Sequence, residues 1–305
     1  MNNTTLDDSY FTQAKMKFSC LNYRLILVVA LFFCSATHYG QSNNREMTLY
    51  NVGFASVFSG VGALINKKPD EKWHKVLLKG IAQGAAGGYL IFESKRLIGK
   101  IESKRAWEYS WYAKFVNSAG TSIVENAASN RNFYDLWHFN IGFNRLELDT
   151  RDQLKLKYKL MPLSFIATTY SLVNHDFEWE RTLQTGEIVF SGNTIKDYNA
   201  SGTAIVNVVV LDKTEMDNHA LLSHEFIHIY QYYDFNVFNT YLNRPLQNLK
   251  VNSNTFDRVS NHLYYDLQGL VLRPLYLLEN LNRDCYYDNF FENEAGYYSN
   301  TIFCN

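Results

Sequence analysis

The chain of 305 residues is 47% hydrophobic and 19% charged, which provides enough apolar side chain for one large folded domain or two small ones. Its 29 basic and 30 acidic residues give a formal net charge of −1. This balance predicts no nucleic-acid partner, because such partners are held mainly by excess positive charge. The 22 Tyr and 21 Phe are an enrichment typical of sheet surfaces and of membrane interfaces.

Residues 1–40 have the layout of a secretory signal peptide or of an N-terminal membrane anchor. Lys17 and Arg24 precede the apolar run 25–33, and small residues follow as far as Gly40. Cleavage after the small residues and retention as an anchor stay open as alternatives. Both predict export, so we expect the bulk of the chain in the cell envelope or periplasm, with membrane association if the anchor is kept.

Export also bears on the cysteines, because an oxidising compartment permits disulfides. Cys285 and Cys304 are the pair that remains beyond the leader. Two interpretations stay open at this point, namely a bridge that ties the C-terminal tail back and two free buried thiols.

Residues 41–105 predict an apolar helical hairpin. The segments 47–65 and 76–92 are nearly uncharged and flank a short polar stretch. Three glycines in the second segment are spaced four residues apart, at Gly80, Gly84 and Gly88. On a helix they form a flat stripe that lets another backbone approach closely. Each segment is marginally long enough to span a bilayer, and spanning would place the following basic residues against the positive-inside tendency. A hairpin in or against a membrane and a buried hairpin of a soluble fold both stay open.

Residues 106–305 predict an α+β domain that is β-rich over 133–211 and mainly helical over 213–305. Two-residue alternation of apolar and polar side chains predicts strands, whereas the β-branched run 203–211 lacks it and suits a strand buried on both faces. The predicted strands are 136–148, 153–160, 163–173, 187–190 and 203–211. The predicted helices are 93–130, 213–233, 255–268, 268–282 and 288–299.

The helix predicted over 213–233 contains the sequence His224-Glu225-x-x-His228. Residues four apart on a helix share a face, so both imidazoles can reach one metal ion. Glu225 lies about 100° further round the helix, close enough to act on a water molecule without being a ligand itself. The motif therefore predicts a metal site of the hydrolytic kind.

Local signals support this helix. Asp217 or Asn218 is placed to cap its start, and no Pro or Gly interrupts the segment. An apolar stripe with helical spacing predicts its buried face, with members Leu222, Phe226, Ile229 and Tyr233.

The motif and its surroundings resemble the zincin superfamily of zinc metallopeptidases, most nearly the gluzincins, over roughly residues 203–300. The resemblance implies a zincin-like fold and Zn²⁺ held by His224, His228 and a glutamate from a later helix. It further implies hydrolysis of peptide or protein substrates by a metal-activated water, with Glu225 as general base. Tyr297 and Tyr298 depart from the thermolysin-like continuation, so the partner that orients a ligand histidine must come from elsewhere.

A catalytic zinc site needs three protein ligands and one open position. Glu294 is the predicted third ligand, because two small residues follow it and leave room beside a metal ion. Glu292 is the first alternative, and it cannot share a helix face with Glu294, two positions away. Asp234 is the second alternative, in a pattern that the metzincins complete with Gly where this chain has Gln231.

The leading hypothesis is therefore an exported, envelope-associated zinc metallopeptidase (a hydrolase). The alternative is a non-catalytic binding or scaffold protein of the envelope with a degenerate zincin fold. The sequence does not single out a transition-state donor, for which the candidates are His262, Tyr264, Tyr265, Tyr297 and Tyr298.

Overall fold

The computed structural model of the protein describes residues 44–193, 200–281 and 285–302. The predicted leader, residues 1–40, and Cys304 lie outside the described residues. Cys285 is disulfide-bonded. The described chain is α+β, as predicted, with one antiparallel sheet, one mixed sheet, and helices before, between and after them.

The elements follow one another in this order along the chain. The helices are α1 (Asn44–Ile65), α2 (Trp73–Lys104), α3 (Tyr109–Ala128), α4 (Pro162–Asn174), α5 (Trp179–Thr185), α6 (His219–Asp234), α7 (Asn243–Asn252), α8 (Asn254–Ser260), α9 (Gly269–Glu279) and α10 (Phe290–Ser299). The strands are β1 (Leu136–Ile141), β2 (Asn144–Asp149), β3 (Lys155–Leu160), β4 (Asp176–Phe177), β5 (Ile188–Gly192), β6 (Gly202–Ile205) and β7 (Val208–Asp212). Single 3-10 turns or short 3-10 segments lie at Lys213–Glu215, Phe235–Leu242 and Tyr286–Asp288.

Helices α1 and α2 pack closely through the predicted glycine stripe. A Cβ added to Gly84 would lie 2.5 Å from the carbonyl oxygen of Ala55, and one added to Gly88 would lie 2.7 Å from that of Asn51. Helix α2 continues well past the predicted segment 76–92, because Ile98 and Ile101 extend its buried face. The predicted helix 93–130 is divided between α2 and α3.

One of the described helices, α1, is long and apolar enough to cross a membrane by length and composition. Half of its most apolar window is buried against the rest of the protein. On the described residues, α1 therefore contributes to the folded core.

The first sheet is an antiparallel meander in the order β1-β2-β3. The single strand predicted over 136–148 is a hairpin, because Gly142 takes a left-handed conformation (φ 54°) between β1 and β2. The strand predicted over 163–173 is wrong, since these residues form α4. Its buried residues are small and spaced three and four apart, namely Ser164, Ala167, Thr168 and Ser171. Pro162 at the first helical turn starts the helix.

The second sheet has the strand order β4-β5-β7-β6, with β5 and β7 parallel and β6 antiparallel to β7. The predicted strand 203–211 is a hairpin whose turn is Val206-Asn207. Val206 has φ 61°, a conformation that a β-branched residue rarely takes, and so the sequence carries no turn signal there. Strand β7 is buried along its whole length, as expected for 203–211, whereas β6 is an edge strand and only partly buried.

Helix α6 lies at the centre of the core, and the predicted apolar stripe is its buried face. Leu222, Phe226 and Ile229 are completely buried. They pack in one cluster with Val209 and Leu211 of β7 and with residues of α2 and α10. The core therefore fixes α6 between the sheet on one side and helices α2 and α10 on the other.

The close packing of α1 on α2 predicts the effect of Gly84→Ala. In an exposed helix this change should stabilise by about 1 kcal/mol. Here the new methyl group meets the backbone of α1, so we expect a destabilisation of about 1–3 kcal/mol instead. Chemical denaturation of the purified protein measures the difference in the free energy of unfolding.

Ala86→Val adds bulk to an exposed position of the same helix and is the matched control. It should cost less than about 1 kcal/mol, which is the β-branched helix propensity alone. A Gly84→Ala protein that is more stable than the wild type would contradict the packing described.

Candidate metal centre

The helix that carries the motif begins at His219 rather than at 213. Asn218 is its N-cap, and its side chain accepts a hydrogen bond of 3.0 Å from the backbone N–H of Leu221. Asp217, the other predicted cap, instead pairs with Arg181 at 2.8 Å. The cap fixes the start of α6 one and a half turns before the first motif residue.

Three donor atoms converge beside α6. The Nε2 atoms of His224 and His228 lie 3.2 Å apart. The Oε2 atom of Glu292 lies 3.0 Å from the first and 3.3 Å from the second. Ligand atoms placed about 2.0–2.1 Å from a tetrahedral zinc ion are about 3.4 Å apart. The triangle of donors therefore fits a zinc ion without rearrangement of the backbone.

The hydrogen bonds around His228 define which of its nitrogens faces the cluster. The side-chain amide nitrogen of Gln231 donates to the carbonyl oxygen of Phe291 at 2.8 Å and to Glu294 Oε2 at 3.0 Å. Its oxygen must then accept, and it lies 2.8 Å from His228 Nδ1. Because Nδ1 carries the proton in this bond, the lone pair of a neutral His228 is on Nε2, the atom that a metal ion needs.

The electrostatics of His228 and Glu292 point the same way. Burial lowers the pKa of His228, but the charge of Glu292 and hydrogen bonding to it outweigh burial and raise this pKa to about 9. Burial also opposes ionisation of Glu292, yet its imidazole neighbours hold the pKa of Glu292 well below its usual range. Two lone pairs and a carboxylate that share one small space require a cation or a proton between them, and a bound cation takes the proton's place.

Glu294, the predicted third ligand, does not lie beside the imidazoles. Its Oε1 atom is 2.8 Å from Lys95 Nζ and accepts a hydrogen bond of 2.9 Å from the side-chain amide of Asn51. Residues two apart on a helix point about 200° apart, so Glu292 faces α6 while Glu294 faces α2. Ala295 and Gly296 are the two small residues that indicated space beside Glu294. They follow Glu292 by three and four positions, so they lie on its side of α10. The structure thus places Glu292, the first alternative, where Glu294 was predicted.

Asp234, the second alternative, is also held elsewhere. Its carboxylate lies 2.6 Å from Lys95 Nζ, on the side of α6 that faces α2. Lys95 is completely buried, and its two carboxylate partners outweigh burial and raise its pKa. The pattern that resembled the metzincins therefore contributes an ion pair to the core and no donor to the cluster.

A chain of hydrogen bonds runs from this ion pair to the candidate ligands. Lys95 holds Glu294, Glu294 holds the amide of Gln231, and Gln231 accepts from the ring of His228. Gln231 is thus the partner that orients the ligand histidine His228, which the resemblance in sequence had left open. Its position three residues after His228 on the same helix is the signal that would have found it.

Tyrosines from outside α6 complete the surroundings of Glu292. The hydroxyl of Tyr276, in α9, donates to Glu292 Oε1 at 2.6 Å and leaves Oε2 facing the imidazoles. Burial and the charge of Glu292 raise the pKa of Tyr276 and of Tyr286, which keeps both hydroxyls protonated as donors. Neither was among the candidate donors from the sequence. One of those candidates, Tyr264, packs its ring 3.8 Å from the guanidinium carbon of Arg145, in a different cluster.

Glu225 is buried between the imidazoles and the edge strand β6. A Cβ added to Gly202 in β6 would lie 3.1 Å from Glu225 Oε1. Burial raises the pKa of Glu225, the charge of Glu292 adds to the rise, and the imidazoles and the backbone N–H of Ala204 oppose it. A carboxylate with a raised pKa beside a cation site is suited to take up and release a proton near neutral pH.

Comparison with protein-family models, with curated proteins and with solved structures finds no match for this chain.

The geometry predicts different effects for the two glutamates of α10. Glu292→Gln removes a charged donor, so stoichiometric zinc binding should be lost after dialysis against a weak chelator. Glu294→Gln leaves all three donor atoms in place and acts on them only indirectly, through Lys95 and Gln231. The protein should therefore still bind one zinc ion, with affinity reduced by at most about 10–100-fold. Metal analysis and competition titration with a coloured chelator measure both.

Asp257→Asn removes an exposed carboxylate of α8 and serves as the control, with zinc binding expected to equal that of the wild type. Loss of zinc in the Glu294→Gln protein together with full zinc binding in the Glu292→Gln protein would overturn the assignment of the donors.

Proposed function

We propose that this chain is an exported, envelope-associated, zinc-dependent metallopeptidase of the zincin type. The observation that carries the proposal is the triangle formed by His224 Nε2, His228 Nε2 and Glu292 Oε2. Glu225 occupies the helix position next to the first imidazole, buried beside an edge strand. A metal ion in open coordination with a carboxylate next to it is the arrangement that hydrolytic zinc sites use.

Each side chain has a distinct role in this proposal. His224, His228 and Glu292 hold the zinc ion, and Gln231 and Tyr276 orient two of these ligands. When bound, zinc supplies Lewis acidity to a water molecule and to the scissile carbonyl group. Glu225 accepts the proton of the attacking water and delivers it to the leaving amine, for which its raised pKa is suited.

The edge strand β6 supports a peptide as the substrate. Among the described strands of the second sheet, β6 pairs with β7 on one side only, so its other side has no strand partner there. Of its backbone groups, the N–H of Ala204 already bonds Glu225. An extended peptide can pair with such an edge as an additional strand. That position would bring a backbone carbonyl of the substrate close to Glu225, which contacts β6 at Gly202.

Export and contact with the envelope rest on the composition of the N-terminal segments. The leader-like layout of residues 1–40 supports export, and the apolar length of α1 supports proximity to a membrane. The near-neutral net charge gives no support for a nucleic-acid partner.

Glu225→Gln tests the proposed chemistry directly. The amide retains the size of the carboxylate and cannot take up the proton, so we expect hydrolysis of a fluorogenic peptide library to fall by about 10²–10⁴-fold. Zinc content should stay at that of the wild type, because Glu225 is not a donor to the ion. Hydrolysis and metal content are measured on the same preparation.

Two results would count against the peptidase. Activity that persists in the Glu225→Gln protein would refute the role given to this carboxylate. A wild-type protein that binds one zinc ion and cleaves no peptide in the library would favour the alternative, a non-catalytic envelope protein that holds its metal for structure.

A further inference from the structure

A cavity of about 490 Å³ lies between the first sheet, the end of α3 and the segment 239–265. None of the four residues of the candidate metal centre lines it. Cationic side chains outnumber carboxylates in its lining, and the carboxylates are those of Glu125 and Glu147 only. Its cationic side chains are Arg131, Arg145, Arg151, Lys159, Arg244 and Lys250. We call this space the basic cavity.

The two carboxylates are already used by two of these cations. Arg145 is completely buried and forms a two-pronged contact with Glu125, at 3.2 and 2.8 Å, and a third bond of 2.9 Å with Glu147. The ammonium of Lys159 lies 3.0 Å from the other oxygen of Glu147. These contacts form one wall of the basic cavity. They leave no carboxylate of the lining to pair with the remaining cations.

Three cations of the basic cavity have no carboxylate within ion-pair distance among the described residues. Arg131 donates to the hydroxyl of Ser129 at 3.2 Å, and its buried Nε atom has no hydrogen-bond partner within the described ranges. Arg244 donates to the carbonyl oxygen of Lys67. Lys250 contributes a further charge at the rim.

Burial of these cations carries an electrostatic cost. Burial lowers the pKa of Arg131, the charges of Glu125 and Glu147 oppose this shift, and nearby guanidinium groups add to it. Burial likewise lowers the pKa of Lys159, in spite of its contact with Glu147, with Lys250 among the opposing charges. A desolvated cation that is only partly balanced by carboxylates destabilises a fold unless something compensates it.

We propose that the basic cavity binds a small organic molecule that carries an oxyanion, either a phosphate or a carboxylate. Arg131 supplies the central contact, because its planar guanidinium matches two oxygens of such a group and its Nε lacks a partner. Lys250 adds attraction at the entrance. Tyr264 and Tyr265 line the same space and offer apolar surface to the rest of the molecule. The volume is in the range of small-molecule sites and exceeds what an inorganic ion alone fills.

Inorganic phosphate is the probe for this proposal, and acetate at equal ionic strength is the carboxylate arm. Isothermal titration calorimetry of the full-length wild-type protein should show saturable binding of at least one of the two anions. Binding of phosphate alone would assign the site to phosphate esters, and binding of both would extend it to carboxylates. The absence of saturable binding for both anions would overturn the proposal.

The matched variants are Arg131→Gln in the basic cavity and Arg96→Gln on the exposed side of α2, where Arg96 pairs with Glu93. Arg131→Gln should weaken the anion affinity by at least 10-fold, and Arg96→Gln should leave it unchanged. The general stabilisation by phosphate salts acts on all three proteins alike, so only the difference between them reports the site. Equal affinity in the wild-type and Arg131→Gln proteins would overturn the proposal.

Without the anion, Arg131→Gln should unfold at the same temperature as the wild type or higher, because it removes a partly buried charge that no carboxylate of the described residues contacts. If this variant does not fold, Lys250→Gln at the rim gives the second test. It should weaken binding at low salt by about threefold to tenfold, and the difference should shrink as the salt concentration rises. A Lys250→Gln protein with unchanged affinity at low salt would contradict the proposed contact at the entrance.

Discussion

The ammonium group of Lys95 is the interaction on which the arrangement of helices depends. It is completely buried in α2 and contacts Asp234 at the end of α6 and Glu294 in α10. Asn51 of α1 supplies a further hydrogen bond of 2.9 Å to the same ammonium. Four helices, from both ends of the described chain, thus meet at one charge. Removing one partner from such a group typically costs about 3–5 kcal/mol, because a charge is left buried without compensation.

This ion pair also determines the direction in which Glu292 of the candidate metal centre points. The rotation of α10 about its own axis is fixed when Glu294 engages Lys95, and the same rotation turns Glu292 towards the imidazoles. Gln231 connects the two halves, since it is held by Glu294 and in turn holds the ring of His228. The apolar helices α1 and α2 therefore support the site through the polar contacts of Lys95 and Asn51 with Glu294.

Part of this arrangement follows from the sequence and part does not. The spacing of His224 and His228, the cap at Asn218 and the apolar stripe of α6 are all local patterns, and the structure has them as predicted. The choice between Glu292 and Glu294 depends on the rotation of one helix against two others. That rotation is set by Lys95, some 200 residues earlier, so no local pattern could have predicted it. Gln231 stands where the metzincin pattern has Gly, and the sequence alone does not show that it connects Glu294 to His228.

The errors in the β-rich region have a similar origin. Helix α4 buries small polar residues at helical spacing, and its apolar residues are largely exposed, so an analysis based on apolar residues assigned it to a strand. The hairpin of β6 and β7 turns at Val206, whose left-handed backbone is held by packing against the core instead of by a turn residue. Both departures are cases in which tertiary contacts override the local preference of the chain. The edge strand that results is what brings Gly202 against Glu225.

The position of a zinc ion in the purified protein tests the central claim most directly. Diffraction data collected on both sides of the zinc absorption edge, from crystals grown with about one equivalent of zinc, locate the ion without reference to any activity. The account predicts one ion about 2.0–2.2 Å from His224 Nε2, His228 Nε2 and Glu292 Oε2, with Glu294 still bound to Lys95. An ion coordinated by Glu294 or Asp234, or no ion between the two imidazoles, would contradict it.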